Sequence, residues 1–137
     1  MIEILYSKTE EETENIGKNL AKSLKMGDII LLTGTLGSGK TCLTRGIADF
    51  FNITHVHSPT FSMINQYKNQ NYQLLHLDLY RIHNIQHLDL DFYFNKKNQM
   101  IIIEWGEKIE SLLPKKPIKI SIEIEENSRR KITVTPP

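Results

Sequence analysis

The stretch Gly34-Thr35-Leu36-Gly37-Ser38-Gly39-Lys40-Thr41 decides how the rest of the chain is read. It fits G-x-x-x-x-G-K-[ST], a loop that wraps the phosphates of a nucleoside triphosphate. Glycines let the backbone turn so that successive N–H groups face phosphate oxygens. Lys40 supplies a mobile positive charge for the terminal phosphates, and the Thr41 hydroxyl is a ligand for Mg²⁺. Immediately before the loop, Ile29-Ile30-Leu31-Leu32-Thr33 is a short apolar run that predicts a buried strand. After it, Leu43, Ile47, Ala48 and Phe51 recur at helical spacing, which predicts a helix with its positive end at the phosphates. The expected nucleotide contacts are therefore Gly34 to Thr41, together with Cys42 in the first helical turn.

The whole chain sets bounds on this reading. Its 137 residues are expected to form one P-loop ATPase domain, 1–137, large enough for a true core. A net charge of +1 gives no strong field toward DNA, RNA or a membrane surface. The single cysteine rules out an internal disulfide framework, which suits a reducing cytosol. No apolar run approaches a membrane span, and Met1–Ser7 has no basic segment leading into a signal-like apolar core. A cytoplasmic protein is expected.

Taken in order, Ile2–Tyr6 reads as a first strand, and Ser7 with Glu10 has capping-box spacing for a helix carrying Ile16, Leu20, Ala21 and Leu24. Met26-Gly27-Asp28 is a turn. Phe61–Tyr67 and Tyr72–Asp78 alternate around Lys68-Asn69-Gln70-Asn71, which predicts a hairpin inserted between the first parallel strands. Residues 79–98 are polar and predict loop with a short helix, and Met100–Glu104 predicts a buried parallel strand. Glu107–Leu113 predicts one or two helical turns stopped by Pro114. Ile118–Ile124 alternates strictly and pairs with Lys131–Thr135 across Glu126-Asn127-Ser128. The expected fold is α/β: a mixed, mainly parallel central sheet flanked by helices, with a C-terminal antiparallel hairpin.

A P-loop needs an acidic partner at a strand end. Asp78 closes Leu74-Leu75-His76-Leu77, and Glu104 closes Met100–Ile103. Strand C-termini in open α/β sheets face the ligand crevice. Asp78 is thus the candidate acid near Mg²⁺, directly or through water, and Glu104 the candidate that positions or activates the attacking water, with Mg²⁺ contact as a lesser role. Ser58-Pro59-Thr60 has two readings. One is a switch whose Thr60 hydroxyl reaches the γ-phosphate or its metal, the other an ordinary loop before a strand.

Through these motifs the chain resembles the TsaE (YjeE) family, bacterial P-loop ATPases of tRNA threonylcarbamoyladenosine (t6A) synthesis. The likeness runs through Gly27-Asp28, the Gly34–Thr41 loop with Arg45-Gly46, Ser58-Pro59-Thr60, His76-Leu77-Asp78-Leu79-Tyr80-Arg81 and Glu104-Trp105. The resemblance implies that Lys40 and Thr41 bind phosphate and Mg²⁺ and that Asp78 serves the metal. It further implies that Thr60 belongs to a switch and that Glu104-Trp105 lies at the active site. It implies ATP as substrate, Mg²⁺ as cofactor, and hydrolysis stimulated by TsaB and TsaD, with tRNA touched only indirectly. The common family loop reads Gly-Asp-Leu-Gly-Ala-Gly-Lys-Thr; here Thr35 stands for the acid and Ser38 for the alanine. Leu88–Phe94 follows the usual segment loosely.

Two other functional classes share the loop, a small-molecule kinase and a nucleotide-sensing module with negligible turnover. Against the kinase, nothing reads as an arginine-bearing lid. The pairs His83/His87 and His55/His57 lack further zinc ligands at suitable spacing. Cys42 reads as packing rather than as a nucleophile. Lys115-Lys116 and Arg129-Arg130-Lys131 read as solvated surface, with RNA contact as the alternative. Arg81 is either a charge stabiliser or a salt-bridge partner, and Tyr80 and Trp105 are candidate partner contacts.

Overall fold

Two apolar faces, one on each side of a single sheet, explain most of the chain's patterning. The computed structural model describes residues 1–56, 64–80, 90–94, 96 and 98–137. Seven strands form the sheet: β1 (Glu3–Ser7), β2 (Ile29–Gly34), β3 (Ile64–Lys68), β4 (Gln73–Asp78), β5 (Gln99–Glu104), β6 (Ile118–Ile124) and β7 (Arg130–Thr135). Their spatial order is β1-β7-β6-β2-β5-β4-β3. The inner strands β6, β2, β5 and β4 are mutually parallel, while β7 and β3 run against their neighbours. β1 is antiparallel to β7 and so shares the direction of the parallel set. The mixed, mainly parallel sheet and the C-terminal hairpin are as expected.

Strands β2, β4 and β5 are near-continuous apolar runs because both of their faces are covered. On one face lie helices α1 (Glu10–Leu20) and α2 (Lys40–Phe50), where Leu20, Leu43 and Ile47 meet Ile30, Leu32, Leu74 and Ile102. The other face packs Leu31, Leu75, Leu77, Ile101 and Ile103 beneath Ile109 of the 3₁₀ segment Gly106–Leu112, with Tyr93 and Phe94 of α3 (Leu90–Phe94) alongside. Helices α1 and α2 approach closely because each offers a glycine to the other's backbone. A Cβ on Gly46 would lie 1.9 Å from the Glu14 carbonyl oxygen, and one on Gly17 would lie 2.3 Å from that of Leu43. Among the described residues, no helix is long and apolar enough to cross a membrane.

Two expectations are corrected. Helix α1 is capped by Thr9, whose side chain accepts the Glu12 N–H at 3.0 Å, and not by Ser7. Strand β1 runs on through Ser7, which pairs with Arg130, so the extended cap geometry falls two residues later. The Ser7 hydroxyl is instead buried against that of Thr13 at 2.7 Å. The β3–β4 hairpin is not inserted between parallel strands. Its second strand joins the parallel set beside β5, and its first, half-buried strand becomes the outer edge.

Candidate functional site

Parallel strands end together, so the C-termini of β2, β5 and β4 place Gly34, Glu104 and Asp78 along one sheet edge. Leu32 is register partner to Glu104, which is partner to Asp78 on its other side. The strand carrying Glu104 therefore separates the loop strand from the Asp78 strand. From Gly34 the chain turns through the loop into α2, with Gly37 at φ 78° and Gly39 at φ 112°, left-handed values that glycine adopts without a Cβ clash. Gly39 is the N-cap of α2 and brings no side-chain cap. The first-turn N–H groups of the helix accordingly remain for a ligand, at the positive end of its dipole.

A cleft of about 270 Å³ opens at this edge, lined by Leu36, Gly37, Gly39, Lys40, Thr41, Cys42, Asp78 and Glu104, with Glu10, Tyr80 and Trp105 completing its rim. Gly34 and Thr35 line an adjoining cavity of about 500 Å³ that shares Lys40 and Trp105. The Ser38 side chain does not face the cleft: it is fully buried, and its Oγ has no hydrogen-bond partner among the described residues. Thr60, with Ser58-Pro59, lies outside the described residues, as does Arg81.

The polar centre of the cleft is a chain of three side chains. Lys40 Nζ donates to the Gly34 carbonyl at 2.7 Å and stands 3.4 Å from Glu104 Oε1. The other carboxylate oxygen, Oε2, is 2.5 Å from His76 Nε2. All three groups are buried. A carboxylate has no proton to give, so His76 donates from Nε2, and its Nδ1 has no partner among the described residues. Asp78, also buried, accepts the Tyr80 N–H at 2.9 Å. The charge-assisted contacts fix Glu104 in one orientation.

Above this centre Trp105 sits at φ 59°, a left-handed conformation that strains a bulky residue. Its ring takes the Lys40 ammonium 5.0 Å from its centroid and packs on Tyr80 at 4.9 Å. Cys42 is half-buried at the cleft wall rather than pure helix packing. Burial pushes its thiol above the ordinary value, and the nearby Glu10 carboxylate adds to that. The donor set suits a hard cation: the Thr41 hydroxyl and the Asp78 carboxylate, oxygen ligands both, line the same cleft. No cluster of three or more His, Cys, Asp or Glu side chains suited to a metal occurs among the described residues.

The structure brings Lys40, Thr41, Cys42, Asp78 and Glu104 together in one cleft. It adds His76, whose signal was present in the sequence as a lone polar residue inside an apolar strand, two positions before Asp78 and on the same face. Arg45 and Gly46, part of the family pattern, both serve the helix pair, and the Arg45 side chain also contacts the Cys42 thiol and partly offsets the rise in its pKa. Arg45 reaches toward Glu14 at 4.0 Å, and Gly46 makes the close crossing described above.

Residues 7–132 match the family model for the threonylcarbamoyl adenosine biosynthesis protein TsaE. A Rickettsia conorii protein named tRNA threonylcarbamoyladenosine biosynthesis protein TsaE is 40% identical over 125 residues, covering 89% of this chain and 71% of the relative. The Bacillus subtilis protein of the same name is 39% identical over 127 residues, covering 91% and 80%. The crystal structure of B. subtilis YdiB superposes with a TM-score of 0.80 at 34% identity, covering 98% of this chain and 86% of that one.

Proposed function

The chain belongs to the TsaE family, the P-loop ATPases of t6A biosynthesis, and from that premise we propose that it hydrolyses ATP to drive a partner of the t6A machinery. The observation that carries this reading is Glu104, held between Lys40 and His76 at the mouth of the phosphate loop.

In this reading the phosphates of ATP meet the first-turn N–H groups of α2 and the loop backbone. Lys40 exchanges the Gly34 carbonyl and Glu104 for phosphate oxygens, which frees Glu104 Oε1 toward the cleft. Glu104 then orients a water and takes its proton as the water attacks the γ-phosphorus. The bond from that phosphorus to the bridging oxygen breaks, leaving ADP and phosphate. Thr41 and Asp78 are the residues to hold Mg²⁺, which would neutralise charge on the β- and γ-phosphates. Trp105 and Tyr80 exclude water from the Lys40 side. Thr60 belongs to the γ-phosphate switch.

TsaB and TsaD are the proposed partners, with TsaD carrying out the transfer to tRNA, so that this chain meets tRNA only indirectly. Phosphate release from ATP, measured alone and with TsaB and TsaD, tests the proposal. Release that rises with the partners supports it. Partner affinity that is the same with ATP, with ADP and without nucleotide would overturn the coupling.

A further inference from the structure

A residue near the far end of the sequence holds the nucleotide loop from outside. Arg130, at the start of β7, donates from Nε to the Ser38 carbonyl at 3.0 Å, across 92 positions of sequence. Its Nη2 donates to the Gly37 carbonyl at 3.3 Å, and its Nη1 to the Ser128 carbonyl at 2.7 Å. The planar guanidinium presents its donors in a fixed fork, so these contacts tie the β6–β7 turn to the loop in one geometry.

The consequence follows from peptide planarity. In a trans peptide the C=O of one residue and the N–H of the next point in opposite directions. Fixing the Ser38 carbonyl on Arg130 therefore sets the Gly39 N–H to point away from Arg130, and Gly39 lines the cleft with Lys40 and Thr41. Fixing the Gly37 carbonyl likewise sets the Ser38 N–H, which closes on the Thr35 carbonyl at 3.1 Å. Gly37 and Gly39 are the loop positions with the freest backbone, so local sterics alone do not hold these directions.

The turn that carries Arg130 is itself built stiffly. Asn127 and Ser128 both sit at positive φ, 67° and 62°. The Glu125 N–H donates to the Arg129 carbonyl at 2.7 Å, and the Arg129 guanidinium grips the Glu125 carboxylate at 2.8 Å through both Nε and Nη2. Backbone strain of this kind persists where surrounding contacts over-determine it.

We propose that Arg130 is a positioning residue for nucleotide binding, which preorganises the backbone of the phosphate loop, and the Gly39 N–H with it, from the C-terminal hairpin. The inference rests on the nucleotide-binding reading of that loop. It assigns Arg130 to the chain's own backbone rather than to RNA.

The test is ATP and ADP affinity by calorimetry for the full chain and for Arg130→Lys, Arg130→Gln, Arg130→Ala and the exposed control Lys116→Ala, with thermal melting of each. Loss of two charge-assisted contacts is expected to weaken ATP and ADP alike by about tenfold in Arg130→Ala. Arg130→Gln should behave similarly, Arg130→Lys should fall between, and Lys116→Ala should match the parent. If Arg130→Ala does not fold, Arg130→Gln, which keeps the aliphatic stem, carries the comparison. Affinities in the folded Arg130 variants equal to the parent's would overturn the proposal. Weakening of ATP with ADP unchanged would also overturn it, pointing to a direct γ-phosphate contact. A parent chain that binds neither nucleotide would overturn the nucleotide reading itself, and the proposal with it.

Discussion

His76 Nε2 lies 2.5 Å from Glu104 Oε2, a contact between neighbouring parallel strands in which the histidine is fully buried. It divides the labour of the carboxylate. One oxygen is anchored inside the sheet, and the other faces Lys40 and the cleft. In the proposed role of orienting a water, Glu104 needs its own rotamer fixed, and a buried hydrogen bond to one oxygen does this while leaving the other toward the cleft.

His76→Leu removes the anchor and keeps an apolar side chain in the strand. Its turnover of ATP is expected to fall by about 10–100-fold, the usual effect of losing a partner that orients a reactive ligand. Nucleotide affinity should stay within about twofold, because His76 does not reach the phosphate loop. His76→Gln, which restores a donor at the same reach, should recover part of the loss. Steady-state kinetics beside calorimetric affinities check this, and an unchanged turnover in His76→Leu would contradict it.

Gly46→Ala should destabilise the fold without touching the site. The added Cβ meets the Glu14 carbonyl oxygen at 1.9 Å, so α1 and α2 must separate. Overpacking of this kind costs about 1–3 kcal/mol or more. Urea unfolding is expected to show a lower midpoint at an unchanged slope. A midpoint equal to the parent's would mean that the helix pair yields easily.

Cys42 should alkylate more slowly than an unstructured cysteine at neutral pH, because burial and the Glu10 carboxylate both disfavour the thiolate. The rate should rise as the pH approaches and passes the thiol's raised pKa. Since Cys42 lines the cleft, ATP should protect it further. Mass spectrometry over a pH series reads both effects. Rapid labelling near pH 7, indifferent to ATP, would contradict them.

The parts of this protein legible in its sequence are those that local chemistry dictates. The apolar runs of β2, β4 and β5 announce strands buried on both faces, and the glycine-lysine-threonine loop announces its own geometry. Asp78 and Glu104 could be picked out because each ends such a run. Longer-range facts were not legible. The cap of α1 moved from Ser7 to Thr9 because β1 pairs with β7 through Ser7, a contact across the whole chain. The β3–β4 hairpin went to the sheet edge because strand order is set by tertiary packing. His76 read as a motif residue with no role of its own, and Arg130 as a surface base, until the fold brought them to Glu104 and to the loop carbonyls.

The most direct test of the account separates binding from chemistry within one cleft. ATP affinity and phosphate release are measured with Mg²⁺ and the t6A partners for the parent chain, Lys40→Ala and Glu104→Gln. Lys40→Ala should lose nucleotide affinity. Glu104→Gln, which keeps the size of the side chain and removes its basicity, should bind ATP at close to the parent's affinity and release phosphate about 10²–10⁴-fold more slowly. Release by Glu104→Gln at the parent's rate would contradict the role assigned to that carboxylate.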